Sequence, residues 1–203
     1  NENQFYSIET QLRRNVAGSE KMLNAYIIEN PTSYLSETAF YDAANFYFKN
    51  GKYSYALKWY NRISERDVSK SQKNTYNFNK GYSLFVSKRY NDAKKYFQKV
   101  QNNPDYQENT NYYLGYIAYQ LENFDEANEN FDKLNRDTDK NITGYFRANM
   151  NFKLGRFEEA IKLAIESLEG SDEKEESELS KIIGESYFNL EEYRSALSYL
   201  PDY

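Results

Sequence analysis

The chain has 203 residues, with 26 Lys or Arg against 31 Asp or Glu, a formal charge of −5 and a mean hydropathy of −0.97. Its 22 Tyr and 13 Phe make it too aromatic for disorder, while no apolar run is long enough to span a membrane. Having no Cys and no His, it is closed to disulfide, thiolate, zinc-finger and imidazole chemistry.

In chain order, residues 1–36 come first. Ser19, Leu23 and Tyr26 share one helical face, and Asn30-Pro31-Thr32-Ser33-Tyr34 ends that helix. Beyond residue 36 one pattern recurs five times: a turn, an aromatic residue, two variable residues and an alanine. The alanines are Ala56, Ala93, Ala127, Ala160 and Ala196, spaced 37, 34, 33 and 36 apart, and this period predicts paired helices A and B in each unit. The unit at about 37–73 places Ala44 on helix A, Tyr53 at the start of helix B and Tyr60 one turn after the alanine. The next, 74–107, repeats this with Gly81, Tyr90 and Phe97, and 108–140 does so with Gly115, Phe124 and Phe131. The unit 141–176 has Ala148, Phe157 and Ala164, and 177–203 has Gly184, Tyr193 and Leu200.

A residue with almost no side chain at one height of every helix A lets helix B approach, and the residue one turn past the alanine fills the space. Ala164 stands where a ring is usual, so looser packing is expected in the fourth unit. Trp59 is expected to face outward on helix B as a surface ring. Ser64 to Ser71, Gln101 to Asn109 with Pro104 as a helix stop, and Glu169 to Glu178 with Gly170 at a C-cap read as connections. Leu200-Pro201-Asp202-Tyr203 arrives where the last helix is barely formed, so the chain is expected to be part of a longer protein.

These positions resemble the tetratricopeptide repeat (TPR) family, whose signature sets a small residue in helix A, an aromatic after the turn, and an alanine then an aromatic in helix B. The resemblance implies an all-α TPR α-solenoid of about five helix-turn-helix repeats in a right-handed superhelix. Residues 37–203 would form the array, with a degenerate N-terminal half repeat in 1–36. The family's helix A tryptophan place holds Phe40, Asn77, Asn111, Gly144 and Ser180 instead. The stretches Phe46 to Tyr53, Asn79 to Phe85 and Tyr112 to Tyr119 are similar to large TPR proteins of Bacteroidetes bacteria, which implies a scaffold in the periplasm or cell envelope. Asn30 to Tyr34 is similar to a phrase in TPR lipoproteins that assist outer-membrane assembly.

The resemblance places function on the concave surface lined by helix A. The candidate groove residues are Tyr41, Asn45, Phe78, Tyr82, Tyr112, Tyr116, Tyr145 and Asn149. Phe48, Phe85, Tyr119, Phe152 and Phe188 share the stripe and are expected largely in the core between units. Over the first four units the stripe carries no formal charge. Tyr41, Phe78, Tyr112 and Tyr145 stand where the family's carboxylate clamp sets a lysine, which excludes capture of a peptide's C-terminal carboxylate. The expected function is a non-catalytic scaffold that binds a protein segment by its rings, with Asn45 and Asn149 pinning the segment's backbone.

Two alternatives accompany it: an assembly factor or holdase for outer-membrane precursors, and nucleic-acid binding through residues 49–100, where 13 basic residues face 3 acids. A net-acidic chain argues for a solvated face there instead. Residues 158–192 hold 12 acids against 3 Lys, and head-to-tail self-association, the acidic end of one copy on the basic middle of another, is a further alternative. Glu158-Glu159, Glu175-Glu176 and Glu191-Glu192 are adjacent and splay apart rather than converging on a substrate, and no phosphate loop or metal spacing occurs. No catalytic, cofactor or metal residues are therefore assigned. Asn141-Ile142-Thr143 has the pattern of a glycosylation triplet and is given no role.

Overall fold

Helix follows helix in the computed structural model, which describes residues 2–134 and 143–200. Among the described residues there are twelve helices and no strand. The chain divides into two compact units, 1–110 and 111–203. The first holds α1 (Glu2–Arg13), α2 (Ser19–Glu29), α3 (Tyr34–Lys49), α4 (Tyr53–Tyr60), α5 (Lys73–Val86) and α6 (Tyr90–Phe97). Helix α7 (Gln107–Gln120) begins where the first unit ends. The second continues with α8 (Phe124–Phe131), α9 (Gly144–Lys153), α10 (Phe157–Leu168), α11 (Glu173–Asn189) and α12 (Tyr193–Ala196). The odd-numbered helices from α3 onward are the A helices, and each following even-numbered helix is the B helix of the same repeat. Within the first unit α1 to α5 each touch the next helix, and α3 touches both α1 and α5; α9 to α12 pack alike. That is the neighbour-to-neighbour contact of stacked repeats.

The five turns from helix A to helix B close in the same way. Gly51, Lys88, Glu122, Gly155 and Glu191 have φ of 69°, 57°, 57°, 71° and 64°, the left-handed region. Just after them, the N–H groups of Lys52, Arg89, Asn123, Arg156 and Glu192 donate back to the carbonyls of Tyr47, Leu84, Ala118, Asn151 and Tyr187 at 2.8–2.9 Å. This is a Schellman closure in every repeat, although only two of the five left-handed residues are glycines. Rings pair across the same turns: Phe48 with Tyr53, Phe85 with Tyr90, Tyr119 with Phe124, Phe152 with Phe157 and Phe188 with Tyr193, with centroids 5.4–6.4 Å apart.

The five repeat alanines are buried, four of them completely. A Cβ added to Gly81 would lie 3.1 Å from the ring of Phe97, and one on Gly184 2.6 Å from Leu200; on Gly115 it would overlap the ring of Phe131. The expected contact between helix A's small residue and the side chain one turn past the alanine is therefore present in these three repeats. In the fourth, the expectation of loose packing is corrected. Ala148, Ala160 and Ala164 are all fully buried, in one cluster with Leu179 and Ile183 of α11. Small residues on both helices are compensated by branched side chains from the next repeat.

Residues 1–36 contain more than half a repeat. Phe5, Ile8 and Leu12 of α1 join Ser19, Leu23 and Tyr26 of α2 as buried residues, so 2–29 form a complete helix pair. Phe5 and Tyr26 lie 5.4 Å apart between ring centroids. The same cluster takes in Leu35, Ala39 and Trp59. Trp59 is thus no surface ring: it is 1% exposed and packs 6.0 Å from Phe40, with the Arg62 guanidinium 5.3 Å from its ring. An isolated repeat would leave this side of helix B open, and its own N-terminal neighbours cover it. Among the described residues no helix is long and apolar enough to cross a membrane. Asn141 and Ile142 of the glycosylation triplet, and Pro201 to Tyr203, lie outside the described residues.

Candidate functional site

On α3 and α5 the candidate residues are half-buried, and their polar atoms are largely used. The Oδ1 of Asn45 accepts the Tyr60 hydroxyl at 2.6 Å and the Asn79 amide at 3.0 Å, which ties α3, α4 and α5 together. Burial pushes the Tyr60 hydroxyl well above the usual tyrosine range. Tyr41 is raised too, again by burial, with an opposing hydrogen bond from Asn45. Phe78 sits 4.9 Å from Tyr106 and 5.9 Å from Phe97. Tyr82 stands edge-on to Tyr53 at 5.0 Å and to Phe48 at 5.7 Å, so it fits against the ring pair of the preceding turn.

Lys80 had been visible in the sequence only as one charge of the basic stretch. The structure buries it: its ammonium donates to the Tyr76 hydroxyl at 3.0 Å and the Tyr60 carbonyl at 3.3 Å, and lies 4.9 Å from the Tyr96 ring centroid. Burial lowers its pKa. Other cations of residues 49–100 also have partners within the chain. Lys58 pairs with Glu20 at 3.6 Å, Arg89 with Asp92 at 2.7 Å, and Lys99 with Glu65. Lys52 donates to Asn15 at 3.0 Å, and Arg62 donates to Asn24. A basic surface whose charges are this far engaged offers phosphates less than the sequence count suggests.

In the second unit Tyr112, Tyr116 and Tyr145 are half-buried. Tyr116 and Tyr145 meet Phe146 at 5.5 and 5.6 Å, and Tyr119 meets it at 5.0 Å. Sequence reasoning missed Phe146, the residue after a candidate, because neighbours on a helix point about 100° apart and only the repeating stripe was followed. Asn149 donates to the Tyr145 hydroxyl at 3.3 Å, and its own Oδ1 is buried without a partner among the described residues. The ring stripe at Phe48, Phe85, Tyr119 and Phe152 is half-buried, but Phe188 is 58% exposed, against the expectation that it is core.

Two cavities open on this unit. One, of about 480 Å³, is lined by Phe152, Glu178, Lys181, Glu185 and Phe188, with an ion pair of 4.0 Å between Lys181 and Glu185. The other, of about 430 Å³, lies among Tyr116, Tyr119, Tyr145 and Phe146 and is also lined by Asp172, Lys174, Glu175 and Glu178. The aromatic face here is therefore not free of charge. Its carboxylates come from residues read in the sequence as a connection, which in fact form the cap and first turns of the 17-residue α11. Asp172 caps that helix by accepting the Glu175 N–H at 2.8 Å.

No family model matches the sequence, and neither does any curated protein. Solved structures do match. MamA of AMB-1 is 17% identical, with a TM-score of 0.67 over 82% of this chain and 89% of that one. MamA from Desulfovibrio magneticus RS-1 is 12% identical, with a TM-score of 0.64 over 80% and 90%. The pilF protein of Pseudomonas aeruginosa is 18% identical, with a TM-score of 0.58 over 98% and 87%. The fold is of the tetratricopeptide type. At these identities the likeness speaks for the fold alone, and the site is argued from this chain's own residues.

Proposed function

We propose that this chain is a non-catalytic scaffold that binds a segment of a protein partner on the aromatic faces of its A helices. The observation that carries this reading is the set of half-buried rings on A helices, Tyr82 in the first unit and Tyr112, Tyr116 and Tyr145 in the second, where Tyr116 and Tyr145 line an open cavity. Amphipathic rings that are neither buried nor free suit a surface that exchanges water for another chain. An envelope location is part of the proposal and is supported by the Bacteroidetes-like stretches Phe46 to Tyr53 and Tyr112 to Tyr119.

The test is paired. Once a partner segment has been captured and identified, Tyr116→Ala with Tyr145→Ala should weaken its binding at least about tenfold, with the chain still fully folded at the temperature of the binding assay. Binding that survives while melting drops would make these rings core and end the reading.

A further inference from the structure

The cavity beside the start of α11 combines an aromatic floor with charge of one prevailing sign. Tyr116, Tyr119 and Tyr145 surround Phe146 at centroid distances of 5.0–5.6 Å, and three carboxylates, Asp172, Glu175 and Glu178, line the same space with Lys174 as the one cation. We propose that this cavity receives an arginine side chain of the bound partner segment, an inference that rests on the partner-binding reading above.

Local structure accounts for two of the carboxylates. Asp172 caps α11, and Glu175 lies in its first turn, where the helix terminus favours negative charge. Glu178 has no such explanation. It lies in the second turn, is exposed, lines both cavities, and among the described residues has no cation within ion-pair distance. An apolar occupant would strip water from these carboxylates and return nothing, and an anion would be repelled. A cation gains twice, from the ring faces and from the carboxylates.

Arginine fits better than lysine because its planar guanidinium can lie on a ring while its edge donates two parallel hydrogen bonds to a carboxylate. The chain makes the first half of that arrangement within itself, with the Arg62 guanidinium 4.2 Å from the Phe40 ring centroid. Around the site, residues 158–192 carry 12 acids and 3 Lys, a field that draws basic segments in.

The experiment uses the whole chain and two short Gly/Ser peptides. One carries a single arginine between two tyrosines, and the other has citrulline, the neutral shape-match, in its place. Binding is followed by fluorescence anisotropy and by amide chemical shifts. The arginine peptide should bind about tenfold more tightly, with shifts at Tyr116, Phe146 and Glu178. Glu178→Gln, an exposed position whose change the fold should tolerate, should erase that difference and leave the citrulline peptide unaffected. Lys174→Gln, which removes the competing cation, should strengthen the arginine peptide only. Raising salt from about 0.1 M to 1 M, which shortens the screening length from about 10 Å to 3 Å, should narrow the gap.

Equal binding of the two peptides overturns the proposal, as does an arginine preference that outlasts Glu178→Gln. If both bind equally and Tyr116→Ala weakens both, the arginine site falls and the partner-binding reading stands. If neither binds, the arginine site is rejected, and the wider reading is decided by the Tyr116→Ala and Tyr145→Ala test with the captured segment.

Discussion

Lys80 on α5 and Lys181 on α11 both belong to A helices, and they have opposite fates. Lys80 is buried against Tyr76 and Tyr96, while Lys181 is exposed at an open cavity beside Glu185. The asparagines differ in the same way: the Asn45 oxygen accepts from both Tyr60 and Asn79, whereas the Asn149 oxygen has no partner among the described residues. At these positions of the first unit the polar side chain holds helices to one another, while at the two compared in the second it is left beside a cavity or keeps an oxygen without a partner among the described residues. An A helix can thus hold a polar group that is buried and engaged or one that is not, and the difference lies in where polar groups find partners.

If that difference is confined to polar groups, damage to the apolar contacts should be severe in either unit. Gly115→Leu drives a side chain into the Phe131 ring and should cost about 3 kcal/mol in a denaturant titration. Gly81→Ala meets Phe97 only at 3.1 Å and should cost clearly less. A second unit indifferent to Gly115→Leu would mean that α7 and α8 are not in this register.

The asparagine pair tests the comparison directly. Asn45→Ala leaves the Tyr60 hydroxyl and the Asn79 amide without their acceptor and should cost about 2 kcal/mol. Asn149→Ala removes a lone buried oxygen and one long hydrogen bond and should cost well under about 1 kcal/mol. Equal losses would erase the distinction between the two units.

Alkaline pH adds a third probe. Tyr47, Tyr60 and Tyr76 have hydroxyls raised chiefly by burial, so above about pH 10 the unfolded chain loses protons that the folded chain keeps. Stability should therefore fall as pH rises through and beyond 10, with a slope of about 1.4 kcal/mol per pH unit for each such tyrosine. Lys80 acts in the opposite direction, because its lowered pKa makes the unfolded chain the stronger proton binder, but it is a single group against several raised tyrosines. Unfolding followed together with tyrosinate absorbance should show the loss, and Tyr60→Phe should flatten it.

The smallest expected effect concerns the turns, where the two units do not differ. Lys88 and Glu122 hold left-handed backbone without being glycine, so Lys88→Gly and Glu122→Gly should each stabilise by up to about 1 kcal/mol. Gly155→Ala should do the reverse. A gain in only one unit would show that the shared turn geometry is not shared in energy.

Much of the helix pairing was legible in the sequence. Ala56, Gly81, Phe97, Gly115 and Phe131 occupy places where two helices must touch, and contact at a repeated height requires small residues at a repeated spacing. The turns at Lys88, Glu122 and Glu191 were less so, since their residue types do not advertise a positive φ. The burial of Trp59 is not legible within one repeat, because its covering neighbours, α1 and α2, precede the repeat in the chain. Of the candidate site, the ring stripe was legible; Phe146, the internal use of Asn45 and the carboxylates of α11 were not. They depend on which groups meet across different helices.

The repeat, its phase and the ring-bearing face follow from the order of residues alone, because burial is set by side-chain size and helical period, and both can be read along one chain. Packing of the helices is what brings Asn45 and Lys80 to partners within the first unit and sets Glu178 at the cavity beside the rings of the second. Hydrogen bonds and ion pairs are won or lost over about an ångström, and separations that fine arise only once the helices have packed.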